Sequence, residues 1–247
     1  VNTTTLSNFR FKNLTIQGNN AAVSRGVVIR GNACTDVVFD GCIITANPTN
    51  TTVNTSVVFG RTVAPTSTPD EVKLQNCTLT GGNYGIYYLG TSARRNTLEV
   101  ANCNINSCYR GVQTSYTNTN IHNNHITQYN MTTHQNFSGL YLENTVGADV
   151  NGNLIDNTYD AEYGIFFKGA TVSDFYVRNN KIRVGNSNYG LHIESCSSTA
   201  TDTGYVYNNE VILYPVVAAN SYAVQIKSSN FMKVANNSFY IKSDAPY

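Results

Sequence analysis

Tryptophan is absent, so any ring chemistry falls to the 17 tyrosines and 10 phenylalanines. Charge is scarce as well. Only 13% of the 247 residues are charged and the formal net charge is +1. There is no basic stripe to neutralise phosphates, which argues against nucleic acid as a partner. No apolar run approaches the ~18 residues of a membrane-spanning helix, so no membrane span is expected. What fills the chain instead is Asn, Thr and Gly between short apolar pairs, the composition of a turn-rich all-β protein.

Those residues are ordered by a repeat. The segment Val177-Arg178-Asn179-Asn180-Lys181-Ile182 reads apolar, any, Asn or Gly, Asn or Cys, any, apolar. Similar segments begin at Phe11, Phe39, Leu74, Val100, Ile121, Val150, Val206 and Val234. Their starts lie about 28 residues apart on average, a period that marks a solenoid. A solenoid grows in one dimension, so residues 1–247 are expected to form one elongated domain rather than two.

The third template position holds only Asn or Gly: Asn13, Gly41, Asn76, Asn102, Asn123, Gly152, Asn179, Asn208 and Asn236. These two residue types adopt left-handed backbone most readily, so a tight bend is expected there. The fourth position runs Leu14, Cys42, Cys77, Cys103, then Asn124, Asn153, Asn180, Asn209 and Asn237. Identical Asn side chains stacked ~4.8 Å apart can hydrogen-bond as a ladder. For the cysteines, the same stacking exceeds the ~3.8 Å Cβ separation of a disulfide. A line of thiols also fails to converge as zinc ligands must. Buried free thiols acting as small hydrophobes are the expectation.

A second element falls between the bends: a small residue, then apolar, any, apolar. Examples are Gly85-Ile86-Tyr87-Tyr88, Gly139-Leu140-Tyr141-Leu142, Gly164-Ile165-Phe166-Phe167 and Gly190-Leu191-His192-Ile193. Alternation of this kind is a strand signal. One strand here and two flanking the bend make three short strands per period. The fold class is therefore all-β, a parallel β-helix of three sheets and about nine coils.

These bends and small-Φ-x-Φ strands resemble the right-handed parallel β-helix repeats of the pectate-lyase-like superfamily, over nearly the whole chain. The resemblance implies a right-handed coil, an extracellular or cell-surface location, and a polysaccharide as partner. In the related lyases and hydrolases the polysaccharide lies on the outward face of this strand element. The same architecture also serves as tailspikes and adhesins, so a structural stalk without a small ligand stays open. Val1 stands where an initiator Met would, and little chain flanks the first and last copies. A mature product, or a piece of a larger parent chain, is the expected origin.

Extra length places three protruding loops, at Asn47–Pro69, Gln128–Phe137 and Ser195–Gly204. The triplets Asn50-Thr51-Thr52 and Asn130-Met131-Thr132 fall within the first two and are read as chance in so Asn- and Thr-rich a chain.

On the small-Φ-x-Φ strands, alternate residues face outward and line up between coils. Two residues after the small one, the column reads Val28, Val58, Tyr87, Gln113, Tyr141, Phe166, His192 and Gln225. Its rings and hydrogen-bonding groups suit a sugar, and Tyr87, Gln113, Tyr141, Phe166, His192 and Gln225 are the expected carbohydrate-binding set. Two residues further, it reads Arg30, Gly60, Leu89, Ser115, Glu143, Lys168, Glu194 and Lys227. A lyase would need a base and a cation to stabilise an enolate, for which Lys168, His192 and Tyr141 are available. A hydrolase would pair Glu143 with Glu194, two coils or roughly 9.6 Å apart. The alternating signs of Glu143, Lys168, Glu194 and Lys227 equally describe a structural charge ladder. Asp156, Asp160 and Glu162, on the approach to the Gly164 strand, are the candidate calcium ligands. Arg25, Tyr84, Arg110, Tyr163, Tyr189 and Tyr222 precede the small residues and are expected to stack along the rod.

Overall fold

Every coil turns at the third template position, where each residue has positive φ. The values lie between 53° and 57° at Asn13, Asn76, Asn102, Asn123, Asn179, Asn208 and Asn236, and are 63° and 67° at Gly41 and Gly152. A β-branched residue would be strained in this conformation, which explains the restriction to Asn and Gly. The computed structural model describes residues 6–18, 25–29, 34–47, 55–61, 71–92, 96–107, 109–128, 136–145, 147–169, 174–185, 188–198, 201, 203–214 and 221–242.

The bends join three parallel sheets. The first leads into the bend, the second leaves it, and the third carries the small-Φ-x-Φ element. One coil shows the pattern: Thr117–His122 in the first sheet, His125–Gln128 in the second and Phe137–Glu143 in the third. The first sheet has nine strands, from Leu6–Lys12 to Met232–Ala235, paired in sequence order. About six turns are closed with buried residues on all three sides, so the expected count of about nine is high. The end coils are exposed, with Phe9 at 47% and Phe239 at 40%.

In the first sheet register is constant from coil to coil. Val100 pairs with Ile121, Ile121 with Val150, Val150 with Val177 and Val177 with Val206, and all five are fully buried. Burying each such side chain contributes about 1.5–3 kcal/mol, so identical stacking along the axis forms a continuous core. At the corner between the second and third sheets, neighbouring coils nearly touch. A Cβ on Gly139 would come 2.6 Å from Ile155 Cγ2 and 2.7 Å from the Gly164 carbonyl oxygen. That close approach is why the element begins with a small residue.

Inside the bend the asparagines form the ladder. Nδ2 donates to Oδ1 of the next coil's asparagine from Asn124 to Asn153 (2.9 Å), Asn153 to Asn180 (3.0 Å), Asn180 to Asn209 (2.9 Å) and Asn209 to Asn237 (2.9 Å). Each Oδ1 also accepts a backbone N–H of the preceding coil, for example Asn153 N to Asn180 Oδ1 at 3.0 Å. Each Nδ2 also donates to a preceding carbonyl, as Asn180 does to Val150 O at 2.9 Å. Buried amides are thus paired with one another and with the backbone. Cys34, Cys42, Cys77, Cys103 and Cys196 are buried thiols; Cys108 lies outside the described residues.

Sequence expectations are corrected here in three places. The strand expected at Ser56-Val57-Val58-Phe59 is present as Ser56–Arg61 in the third sheet, so the segment Asn47–Pro69 is not one continuous loop. In that strand the outward column passes through Phe59, while Val58 and Gly60 register with the inward Ile86 and Tyr88. Phe59 pairs with Val28 and Tyr87, while Val58 is fully buried in the core. At this coil Val57 takes the place of the small residue and Val58 the inward position, so counting from Ser56 slips the frame by one and reverses the faces. Finally, the approach to Gly164 is a single 15-residue strand, Leu154–Lys168, with an irregularity between Asn157 and Asp160. The glycosylation-like triplets Asn50-Thr51-Thr52 and Asn130-Met131-Thr132 lie outside the described residues.

Candidate functional site

The outward face of the third sheet carries the aromatic array the sequence pointed to, in two groups. Toward the N-terminus, Tyr84 stacks on Tyr87 at 4.7 Å between centroids, Phe59 lies 5.7 Å from Tyr87, and the Arg25 guanidinium sits 4.0 Å over Phe59. Further along, Tyr141, Phe166, Tyr163, Tyr189 and Tyr222 follow one another. Centroid separations are 4.6 Å for Tyr141–Phe166 and Tyr163–Phe166, 5.3 Å for Tyr163–Tyr189 and 5.5 Å for Tyr189–Tyr222. The Arg110 guanidinium covers Tyr141 at 3.5 Å and donates to Gln113 Oε1 at 2.6 Å. The stacking expected for the Arg and Tyr column is present, and it crosses between columns.

That mutual packing changes which residues a ligand could reach. Phe166 is 3% exposed, His192 5% and Gln113 9%, so these three back the array rather than form its surface. Tyr87, Tyr141 and Gln225 remain half-buried, as do Tyr163 and Tyr189, while Tyr222 is exposed. His192 touches Tyr189, Phe166 and Tyr163, and neither ring nitrogen has a hydrogen-bond partner among the described residues. Burial pulls its pKa below the usual 6.5, against the nearby Glu194, so the ring is neutral at pH 7.

The charged column reads as an ion-pair ladder at its C-terminal end. Lys168 Nζ lies 3.9 Å from Glu194, and Lys227 Nζ lies 3.3 Å from the same carboxylate. Glu143 pairs in register with Lys168 and accepts a hydrogen bond from the Tyr141 hydroxyl at 3.3 Å. Burial, and then the Glu143 charge, push the Tyr141 phenol up to about 12, so it keeps its proton. Tyr141 as a lyase base is disfavoured by this environment, and Lys168 is engaged with Glu194. The Glu143 and Glu194 carboxylates stand two coils apart with Lys168 between them in register.

The calcium expectation rested on carboxylates along a loose approach. Asp156 instead sits on a paired strand between Thr127 and Arg183. Asp160 pairs with Gly185 through its backbone, and its side chain lies outside the described residues. Glu162 is half-buried next to Tyr163, whose pKa it helps to raise after burial. Among the described residues no group of three His, Cys, Asp or Glu is placed to hold a metal ion.

Sequence reasoning missed the outward face of the first sheet. Asp149 there accepts two hydrogen bonds from Arg178, at 2.9 Å from Nε and 2.6 Å from Nη2, and Tyr176 stacks on Tyr205 at 5.1 Å and 7°. The signal was available, because these residues lie one before or one after the apolar residue that opens each template copy.

The chain belongs to the right-handed β-helix family: residues 62–239 match the family model described as a right handed beta helix region. No curated protein and no solved structure matches it. The fold fits a carbohydrate-related or adhesin-like role, and no helix among the described residues is long and apolar enough to cross a membrane.

Proposed function

We propose that this protein recognises an extracellular or cell-surface polysaccharide along the outward face of its third sheet. The observation that carries the reading is the run of rings from Tyr141 to Tyr222 on one face. It has half-buried Tyr141, Tyr163 and Tyr189 at the surface, and Phe166 and His192 beneath them. Sugar C–H faces stack on such rings, and the tyrosine hydroxyls offer polar partners for sugar hydroxyls. Recognition is favoured over cleavage because the titratable groups are occupied by one another. Lys168 and Lys227 share Glu194, and Tyr141 donates to Glu143. A lyase reading would rest on neutral His192 as base with Lys168 as the cation. A hydrolase reading would rest on Glu143 and Glu194. A structural adhesin is the second reading, supported by the rings packing on each other.

The test is incubation with uronate-containing and neutral polysaccharides, with and without calcium. Co-sedimentation, reducing ends and the ultraviolet absorbance of unsaturated products are followed together. The expected result is co-sedimentation without product, weakened about tenfold in Tyr141→Ala/Tyr189→Ala. Unsaturated product lost in His192→Ala would make the protein a lyase. New reducing ends lost in Glu143→Gln would make it a hydrolase. Neither binding nor product would leave the adhesin reading.

A further inference from the structure

We infer that the first sheet carries a second, separate saccharide site, a groove fitted to a neutral sugar chain. Its walls are two outward columns crossing four coils. One column is Glu99, Asn120, Asp149 and Tyr176, aligned by the sheet register. The other is Thr97, Asn118, Gly147 and Asp174, and all eight residues line a depression of ≈ 390 Å³. Gly147 contributes no side chain between Asn118 and Asp174, and the surface dips there. The volume falls in the roughly 300–1,000 Å³ range of small-ligand sites.

The chemistry of the walls selects the ligand. The carboxylates are already satisfied by the protein. Glu99 lies 3.3 Å from Lys73 Nζ and 3.7 Å from His122 Nε2. Asp149 holds the Arg178 guanidinium through both oxygens. Asp174 accepts the Thr203 amide at 2.7 Å and the Tyr176 hydroxyl at 3.3 Å. Lys73 and Arg178 counter two of the three carboxylates and hydrogen bonds satisfy the third, and among the described residues no cationic side chain lines the groove to receive an anion. A uronate would meet carboxylate oxygens. What the groove presents is a set of fixed acceptors, the exposed amides of Asn118 and Asn120 that both donate and accept, and one aromatic wall. Tyr205 and Lys233 buttress Tyr176 from the coils beyond the groove, at 5.1 Å between the tyrosine rings and 5.3 Å from Lys233 Nζ to the Tyr205 ring. Tyr176 lines the groove end, with the Arg178 guanidinium 5.7 Å from its ring centroid, and supplies the ring on which a sugar can stack. Donors and acceptors repeating every ~4.8 Å along the coils match a chain of hydroxyl-bearing units laid along the axis.

The experiment is isothermal titration calorimetry with hexasaccharides of glucose, mannose, galactose and N-acetylglucosamine, and with a galacturonate hexamer. Three proteins are compared: wild type, Asn118→Ala/Asn120→Ala, and Tyr141→Ala/Tyr189→Ala. Asn118 and Asn120 are exposed, so their double variant keeps the fold, which thermal unfolding verifies. A Tyr176→Ala variant is read alongside it. The expected result is a neutral hexasaccharide whose binding weakens about tenfold in both groove variants and is unchanged by the third-sheet variant. The galacturonate hexamer is expected to be insensitive to the groove variants. Binding lost only in Tyr141→Ala/Tyr189→Ala would overturn the groove and leave the third-sheet proposal standing. Absence of binding by any neutral hexasaccharide would overturn it too.

Discussion

The same template position is solved in two ways along this rod. From Asn124 onward it is a ladder in which the side chains of Asn153 and Asn180 make four hydrogen bonds each and that of Asn209 five. From Cys42 to Cys103 it is a column of thiols that copies the ladder in weaker form. Sγ lies 3.4 Å from Phe11 O at Cys42, 3.5 Å from Phe39 O at Cys77 and 3.6 Å from Leu74 O at Cys103. Each thiol has one hydrogen, however, and Cys77 and Cys103 stand nearer their own coil's Gln75 O and Ala101 O, both at 3.2 Å. The Phe11, Phe39 and Leu74 carbonyls are the counterparts of the ones the Asn amides reach, such as Ile121 O from Asn153 at 2.8 Å. Cys103 Sγ even accepts the Cys77 amide at 3.4 Å, the place Asn124 Oδ1 takes for the Cys103 amide at 2.8 Å. A thiol is a weak donor and a weak acceptor, whereas a primary amide offers two donors and a strong acceptor. The lesson is that the bend asks first for a small buried side chain, and second for a hydrogen-bonding one. The thiols meet the first demand and only part of the second.

The largest effect that would break this comparison is expected on removing one rung. Asn180→Leu leaves Asn153 Nδ2, the Asn153 amide and the Val150 carbonyl without their buried partner, at a cost of about 3–5 kcal/mol. Cys77→Ala loses a small side chain and weak bonds, costing about 1 kcal/mol. Chemical denaturation of both variants checks the contrast; equal losses would mean that hydrogen bonding does not distinguish the two halves. A change in the other direction sharpens it. Cys103→Asn extends the ladder by one rung, toward Asn124 on one side and the Cys77 amide on the other. It is expected to raise stability by about 1 kcal/mol, seen as a rise in Tm of about 2–4 °C. A fall in Tm would show that the thiol is required for packing. The smallest effect is local. Amide hydrogen exchange is expected to be faster at Cys77, whose acceptor is a sulfur, than at Asn153, whose acceptor is the Asn180 oxygen. Equal protection would place the difference elsewhere.

How much was legible in advance follows from where each signal resides. The bend, the ladder and the three-strand coil were readable because each is set by residues repeated about every 28 positions. The array on the third sheet was readable as a column for the same reason, apart from the Ser56 strand. There, Val57 stands in place of a glycine and nothing local marks the frame. Exposure was not readable. Tyr87 and Phe166 occupy equivalent positions, yet one is half-buried and the other 3% exposed, because neighbouring rings close over Phe166. The first-sheet groove was legible only in retrospect, since its dip comes from one glycine among four aligned residues.

The sequence by itself determined the repeat, the left-handed bends and the continuous apolar stack, because these depend on local backbone preference and on a period. Only the tertiary structure decided which outward residues remain reachable and which charges are already neutralised, and where adjacent columns leave a groove. Those properties depend on side chains from different coils meeting across the sheets, and their packing is set by contacts between residues about 28 apart in the chain.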